Sequence, residues 1–369
     1  MLQNVLSKIC ADLSNLRPKF LFGYFGKKEK ETIFSYLKEE IAMLIPNVAF
    51  LTPEEYKSSV SSFSASPCCF LLEEAFSRKD IAPLINLAYG NKNLLLIGFS
   101  SSDIGFLSPD VLTTIAARYD SYFLAPRIPP GFDSDYVSFL MKGGLSLSKE
   151  AYVDDVLSQI IKKRDTRKKQ EVRDLIEFLI CHAGESFSVR SLAASFNSFA
   201  PNVLGKYLEE FCQSYLFYRL DGYDFSAEKA PGGNFRVIPY DTSLYSFSRR
   251  DALRNIDLLA LTPILGRAKE EGYDCHWGYF HRKKKQEDSS RKYRDEDVGL
   301  LVSSPRRKMI FALDLSGEGK TAPALSDVSQ TIEKYRVVSG DSSPFYGKEG
   351  VCHVSIVYLL GDGFDWRKR

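Results

Sequence analysis

Apolar runs and amphipathic stretches alternate through the first third of the chain. The runs are "KFLFGYF" (19–25), "NVAFLT" (47–52), "CCFLLEEA" (68–75), "NLLLIGFS" (93–100) and "SYFLAP" (121–126). They are nearly continuous rather than alternating, the pattern of parallel strands covered on both faces. Between them "KEKETIFSYLKEEIAMLI", "PEEYKSSVSSF", "RKDIAPLINLAY" and "SPDVLTTIAARY" carry helical spacing or start signals, such as Pro53 followed by two glutamates. Five strands with helical crossovers predict an open, doubly wound α/β sheet.

From about 132 to 225 the period becomes helical. "DSDYVSFLMKGGLSLS" ends a helix at Gly143-Gly144, and a basic helix follows. Leu175, Ile176, Leu179 and Ile180 form one buried face, Leu192, Ala193 and Phe196 a second. Val203, Leu204, Tyr207, Leu208 and Phe211 form a third, with Ser186 and Ser188 at cap positions. "SYLFYRLDGYDF" then turns at Asp221-Gly222. Three short helices and a hairpin predict a winged helix-turn-helix. The rest predicts a long helix over "RRDALRNIDLLALTPILGRAKEEGYD", strained at Pro263. Strands follow near 275–281, 297–303 and 308–315, then a helix near 325–337 and a strand at 351–360. The order α-β-β-β-α-β is similar to the restriction-endonuclease-like core.

At 369 residues, two or three domains are expected. Lys plus Arg (49) against Asp plus Glu (47) leaves a formal charge of +2, so no global field draws nucleic acid or a membrane. Local basic stretches, 162–169 and 282–294, are the candidates for nucleic-acid contact. Polar residues break every apolar stretch, so neither a signal peptide nor a membrane span is expected. The seven cysteines show no C-x-x-C spacing, which fits a reduced, cytoplasmic compartment. Cys-His pairs at 181–182, 275–276 and 352–353 read as scatter, since adjacent strand residues face opposite ways.

Candidate chemistry gathers at strand ends. "FLFGYFGKKEKETIF" has the outline of a phosphate-binding loop, but the working loop is G-x-x-x-x-G-K-[ST]. Counted from Gly23, Lys28 takes the second glycine position, Glu29 the lysine and Lys30 the hydroxyl. Gly23, Gly26, Lys27 and Lys28 still offer backbone donors and charge to a phosphate, and Thr32 is the nearest hydroxyl. Glu73 and Glu74 end the third strand where an Asp-Glu pair would hold magnesium and orient water. The extra methylene of glutamate moves the first carboxylate by about 1.5 Å. Ser100 ends the fourth strand at the edge where ligands bind in such sheets. Arg118 follows a helix and is a candidate for a phosphate of the same or a neighbouring subunit.

The succession "FLFGYFG", "CCFLLEEA", "NLLLIGFSSS", "AARYDSYFLAP", "FLMKGGLSL", the stretch from "IIKKRDTRKKQ" to "SLAASF", and "NFRVIPYDTSL" resembles a widespread group of prokaryotic AAA-type ATPases. The likeness covers about residues 17–320. It implies a P-loop-like domain at 1–130, a helical extension at 131–170, a winged helix at 171–245 and a restriction-endonuclease-like domain at 246–369. It also implies ATP and Mg2+ as ligands, Glu74 and Arg118 in catalysis, Glu73 on the metal, and a protein partner or homo-oligomer. A nuclease of the C-terminal type carries an aspartate on one strand and D/E-x-K on the next. Asp297 and Asp314 match the metal carboxylates, and Ser316 stands at the lysine position. Two readings follow: an ATP-binding protein with impaired hydrolysis, or a non-catalytic DNA-binding or protein-interaction module on the same scaffold.

Overall fold

The computed structural model describes residues 9–15, 17–24, 27–59, 67–100, 115, 117–125, 136–144, 148–164, 168–196, 198–245, 249–283, 293–317, 323–340, 343–347, 350–361 and 363–366. Two units emerge, 1–125 with 213–215, and 126–212 with 216–369.

The first unit is built on β1 (Lys19–Phe22), β2 (Ala49–Phe50), β3 (Cys68–Leu72), β4 (Leu94–Ser100) and β5 (Asp120–Phe123). All pair in parallel, in the order β2-β3-β4-β1-β5. This five-stranded sheet is compatible with a P-loop-like fold. The intervening helices are α1 (Lys27–Leu44), α2 (Pro53–Ser59) and α3 (Ile81–Ala88). Ile33, Leu37 and Ile41 of α1 bury against Leu21, Cys69, Ile97 and Phe99. Each such side chain contributes about 1.5–3 kcal/mol of transfer free energy. Elsewhere in the core Phe20 packs edge-on to Phe76 at 4.9 Å and to Tyr119 at 5.4 Å. A Cβ at Gly98 would lie 2.8 Å from Ala75 Cβ, so this close packing requires glycine. The helix expected over 108–119 lies largely outside the described residues.

The second unit contains α4 (Tyr136–Lys142), α5 (Lys149–Arg164), α6 (Lys169–Cys181), β6 (Phe187–Ser188), α7 (Val189–Ser195) and α8 (Pro201–Gln213). Then come β7 (Phe217–Asp224), β8 (Asn234–Pro239), α9 (Arg249–Arg254), α10 (Ile256–Glu270), β9 (Asp274–Lys283), β10 (Tyr293–Ser303) and β11 (Lys308–Asp314). β12 (Glu333–Val338), β13 (Phe345–Tyr346), β14 (Cys352–Ser355) and α11 (Ile356–Leu360) complete it. The expected buried faces of α6 and α8 are present except Val203, which is exposed. Ser188 caps α7, its side chain accepting from Ser191 N–H.

Four features differ from the sequence pattern. β7 runs straight through Asp221-Gly222, because its other edge pairs in parallel with β9, Gly222 opposite Trp277. The reversal falls instead at 225–233, where Glu228, Gly232 and Gly233 adopt positive φ. Residues 171–245 and 246–369 therefore share one nine-stranded sheet, β13-β14-β12-β11-β10-β9-β7-β8-β6. Pairing covers the edge that β9 would otherwise expose. The helix expected near 325–337 is a short turn followed by β12, whose burial alternates with period two. The strand expected at 351–360 ends at Ser355, which caps α11 by accepting from Tyr358 N–H. The long helix divides at Asn255 into α9 and α10, and α10 runs through Pro263.

Candidate functional site

In the first unit, parallel pairing places Phe22 beside Ser100 and Leu72 beside Gly98. The residues that leave these strands, Gly23, Ser100 and Glu73-Glu74, thus share the carboxyl edge. Ser100 is fully buried, and among the described residues its Oγ finds no hydrogen-bond partner. Its carbonyl accepts from Gly23 N–H at 3.3 Å. Lys27 and Lys28 form the first turn of α1; their side chains, and Gly26, lie outside the described residues.

Glu74 takes a left-handed conformation (φ 44°, ψ 47°), and its Oε1 accepts from Lys30 Nζ at 2.7 Å. Lys30 is the residue at the hydroxyl position of the loop pattern. Glu73 beside it is exposed. Thr32 follows Lys30 by two residues, about 200° around the helix, so it does not face the same way. Thr32 is exposed on α1.

Arg118 is placed elsewhere. It precedes β5, whose first residue pairs with Lys19, and therefore sits at the amino edge of the sheet. Its Nη1 donates to Asn86 Oδ1 at 2.5 Å, and its guanidinium lies 6.0 Å from the Tyr89 ring. Within this unit Arg118 does not meet Glu74 or Ser100. At that same edge Lys19, fully buried, donates to Asp120 Oδ2 at 2.7 Å, to the Arg17 carbonyl at 3.0 Å and to Asn15.

A nucleotide phosphate fits the carboxyl edge: a buried, unpartnered hydroxyl and a helix start converge there. Lys30, which stands at the hydroxyl position of the loop pattern, bonds the Glu74 carboxylate there.

In the second unit Asp297 accepts from Arg236 Nη2 on both oxygens at 2.7 Å. Trp277 Nε1–H donates to Oδ1 at 2.9 Å. The Arg236 guanidinium lies 4.2 Å from the Trp277 ring centroid, and its Nη1 donates to the Gly184 carbonyl at 2.9 Å. Asp257, at the head of α10, accepts from Leu315 N–H at 2.7 Å and Ser316 Oγ at 3.3 Å. Burial pushes the Asp257 carboxyl up; hydrogen bonds from Leu315 and Ser316 oppose this, and the Asp314 charge adds to it. A cavity of about 270 Å³ is lined by Asp257, Asp297, Arg236, Trp277, Leu261 and Leu313, among others.

Of the two expected metal carboxylates, Asp297 accepts from Arg236 and Trp277; Ser316, at the lysine position, donates to Asp257. Among the described residues no three His, Cys, Asp or Glu converge as metal ligands. Sequence reasoning missed Asp257, Arg236 and Trp277. Asp257 had a signal, a carboxylate in the first turn of a helix whose next nine residues carry no charge. Arg236 had none, because its partner lies 61 residues away.

Of the two basic stretches, 165–167 and 284–292 lie outside the described residues. Lys168 Nζ sits 5.3 Å from the Phe199 ring, and Arg282 pairs with Glu296 and Asp327. No described helix is long and apolar enough to cross a membrane.

No family model matches the chain, and no curated protein matches it. Among solved structures it is similar to a chain of the Drosophila ORC bound to AT-rich DNA and Cdc6. That match has 12% identity, covers 64% of this chain and 87% of that one, and has a TM-score of 0.25. It is also similar to protein VC1899 from Vibrio cholerae, at 8% identity, 85% and 94% coverage and a TM-score of 0.22. Both scores are too low to establish a shared fold, and the reading of the site rests on this chain's own geometry.

Proposed function

We propose that the first unit is a divergent AAA-type module that binds a nucleotide such as ATP and hydrolyses it poorly. The observation that carries this is the carboxyl edge: a buried Ser100 hydroxyl without a partner, beside a Glu74 held by Lys30. A buried hydroxyl left unbonded costs about 1–3 kcal/mol, which a ligand oxygen would recover. Lys30 supplies positive charge that a loop phosphate needs, in place of a metal. Glu74 is engaged by that cation, a contact that competes with any use of its carboxylate toward water. The second unit, on this reading, carries the winged-helix and endonuclease-like elements as a contact surface for nucleic acid, a protein partner or another copy of the chain.

Calorimetric titration of ATP, with and without Mg2+, tests the reading. Micromolar binding that survives removal of Mg2+ and weakens in Ser100→Ala supports it. Absence of saturation up to millimolar ATP overturns it.

One observation favours the second reading, a binding module without nucleotide. Gly23 N–H, which a phosphate would need, is already spent on the Ser100 carbonyl. Salt-sensitive DNA binding, indifferent to ATP, would select that alternative.

A further inference from the structure

The cluster around Asp297 joins parts of the chain that the sequence keeps apart. Arg236 comes from β8, Trp277 from β9 and Asp297 from β10, while Gly184 follows α6. The arginine is gripped on three sides, by the carboxylate, the indole face and the Gly184 carbonyl. Its side chain is 17% exposed, against 50% for Asp297. A guanidinium stays charged at any working pH, and stacking on tryptophan restricts it further. Both oxygens of Asp297 already accept from Arg236, and Oδ1 also accepts from Trp277. A divalent ion at this carboxylate would compete with those three hydrogen bonds and face the guanidinium charge beside it.

We propose that Arg236 is the built-in cation of this cavity: it occupies the carboxylate that the endonuclease-like pattern offers to a metal and excludes a divalent ion. The inference uses that pattern only to say which ion is excluded; the cluster itself stands on its contacts. Removing the guanidinium frees Oδ2 of Asp297 and leaves Oδ1 with the Trp277 donor; Asp257 lines the same cavity, and two carboxylates there attract a hard divalent cation.

The test is Mn2+ titration of the full chain without nucleotide, read by electron paramagnetic resonance. Wild type, Asp297→Asn, Arg236→Gln and the double variant are compared, with circular dichroism melts to check folding. Arg236→Gln is expected to gain a Mn2+ site at least ten-fold tighter than any in wild type, and Asp297→Asn should remove it. Wild type and Asp297→Asn should bind Mn2+ alike. A wild-type site lost in Asp297→Asn overturns the proposal, as does a folded Arg236→Gln that gains nothing. Should Arg236→Gln fail to fold, the wild-type against Asp297→Asn comparison decides in the same two directions. Because no nucleotide is present, failure here leaves the ATP reading of the other unit standing.

Discussion

Gly144 N–H donates to Asp241 Oδ2 at 2.7 Å, while Oδ1 of the same carboxylate accepts from Ser243 N–H at 2.8 Å. Asp241 is 1% exposed, so the two bonds tie the end of α4 to the segment after β8 in a water-poor setting. Both segments stood out in the sequence, 97 residues apart. A Cβ at Gly143 (φ +74°) would lie 1.9 Å from Asp241 Oδ1 and 2.6 Å from Ser243 N. Gly143→Ala should therefore destabilise the second unit by about 3 kcal/mol or more. Asp241→Ala, which removes the acceptor of two part-buried N–H groups, should cost about 1–3 kcal/mol. Denaturant unfolding of each variant measures both.

Lys30→Ser restores a hydroxyl at its place in the loop pattern and frees Glu74. ATP binding should become Mg2+-dependent in this variant, in contrast to the wild type, as calorimetry with and without chelator would record. The Lys30–Glu74 pair is partly exposed, at 22% and 32%, so its loss should change stability by less than about 1 kcal/mol.

Ser100→Ala removes a buried hydroxyl that has no partner in the free protein. Stability should rise, by about 1 kcal/mol, since a desolvation cost disappears. Nucleotide affinity should fall about three- to ten-fold if that hydroxyl meets the ligand. A thermal melt and a titration on one preparation separate the two effects; a fall in both would mean Ser100 only packs.

Asp120 answers for acid stability. Burial pushes its carboxyl up, but hydrogen bonds from Lys19 and Asn15 and the charges of Lys19 and Arg17 outweigh that and hold it below its ordinary value. A lowered carboxylate stabilises the fold above its unfolded value, about 3.9, and loses that contribution as pH falls through the folded one. Asp120→Asn should flatten the acid limb of the stability curve. It should also cost about 3 kcal/mol near neutrality, because Lys19 is left buried without its counter-ion.

Asp257 works in the opposite sense. Its raised carboxyl binds a proton more readily folded than unfolded, so stability declines as pH climbs from the ordinary carboxylate range through its folded value. Asp257→Asn should abolish that decline while keeping an acceptor for Leu315 N–H. Chemical denaturation across mildly acidic pH would show the two curves converging at the low end.

Local pattern determined much of this protein. The near-continuous apolar runs specified five strands, because a strand buried on both faces admits no polar alternation. Helical spacing on α1, α6 and α8 named most of the buried faces, and Gly143 marked a helix end. The same pattern placed Gly23, Glu73-Glu74 and Ser100 at strand ends, which is why they meet at one edge of a parallel sheet.

What tertiary structure alone decided is which charges became partners and which edges became neighbours. Arg118 went to the amino edge with Asn86, Lys30 went to Glu74, and Arg236 crossed from β8 to Asp297. β7 stayed straight through Asp221-Gly222 because β9 lay alongside it. Burial periodicity is local and survives in the order of residues. Ion pairs and strand edges are settled by whichever distant segment arrives, because an unpaired charge or an open edge costs more than any local preference saves.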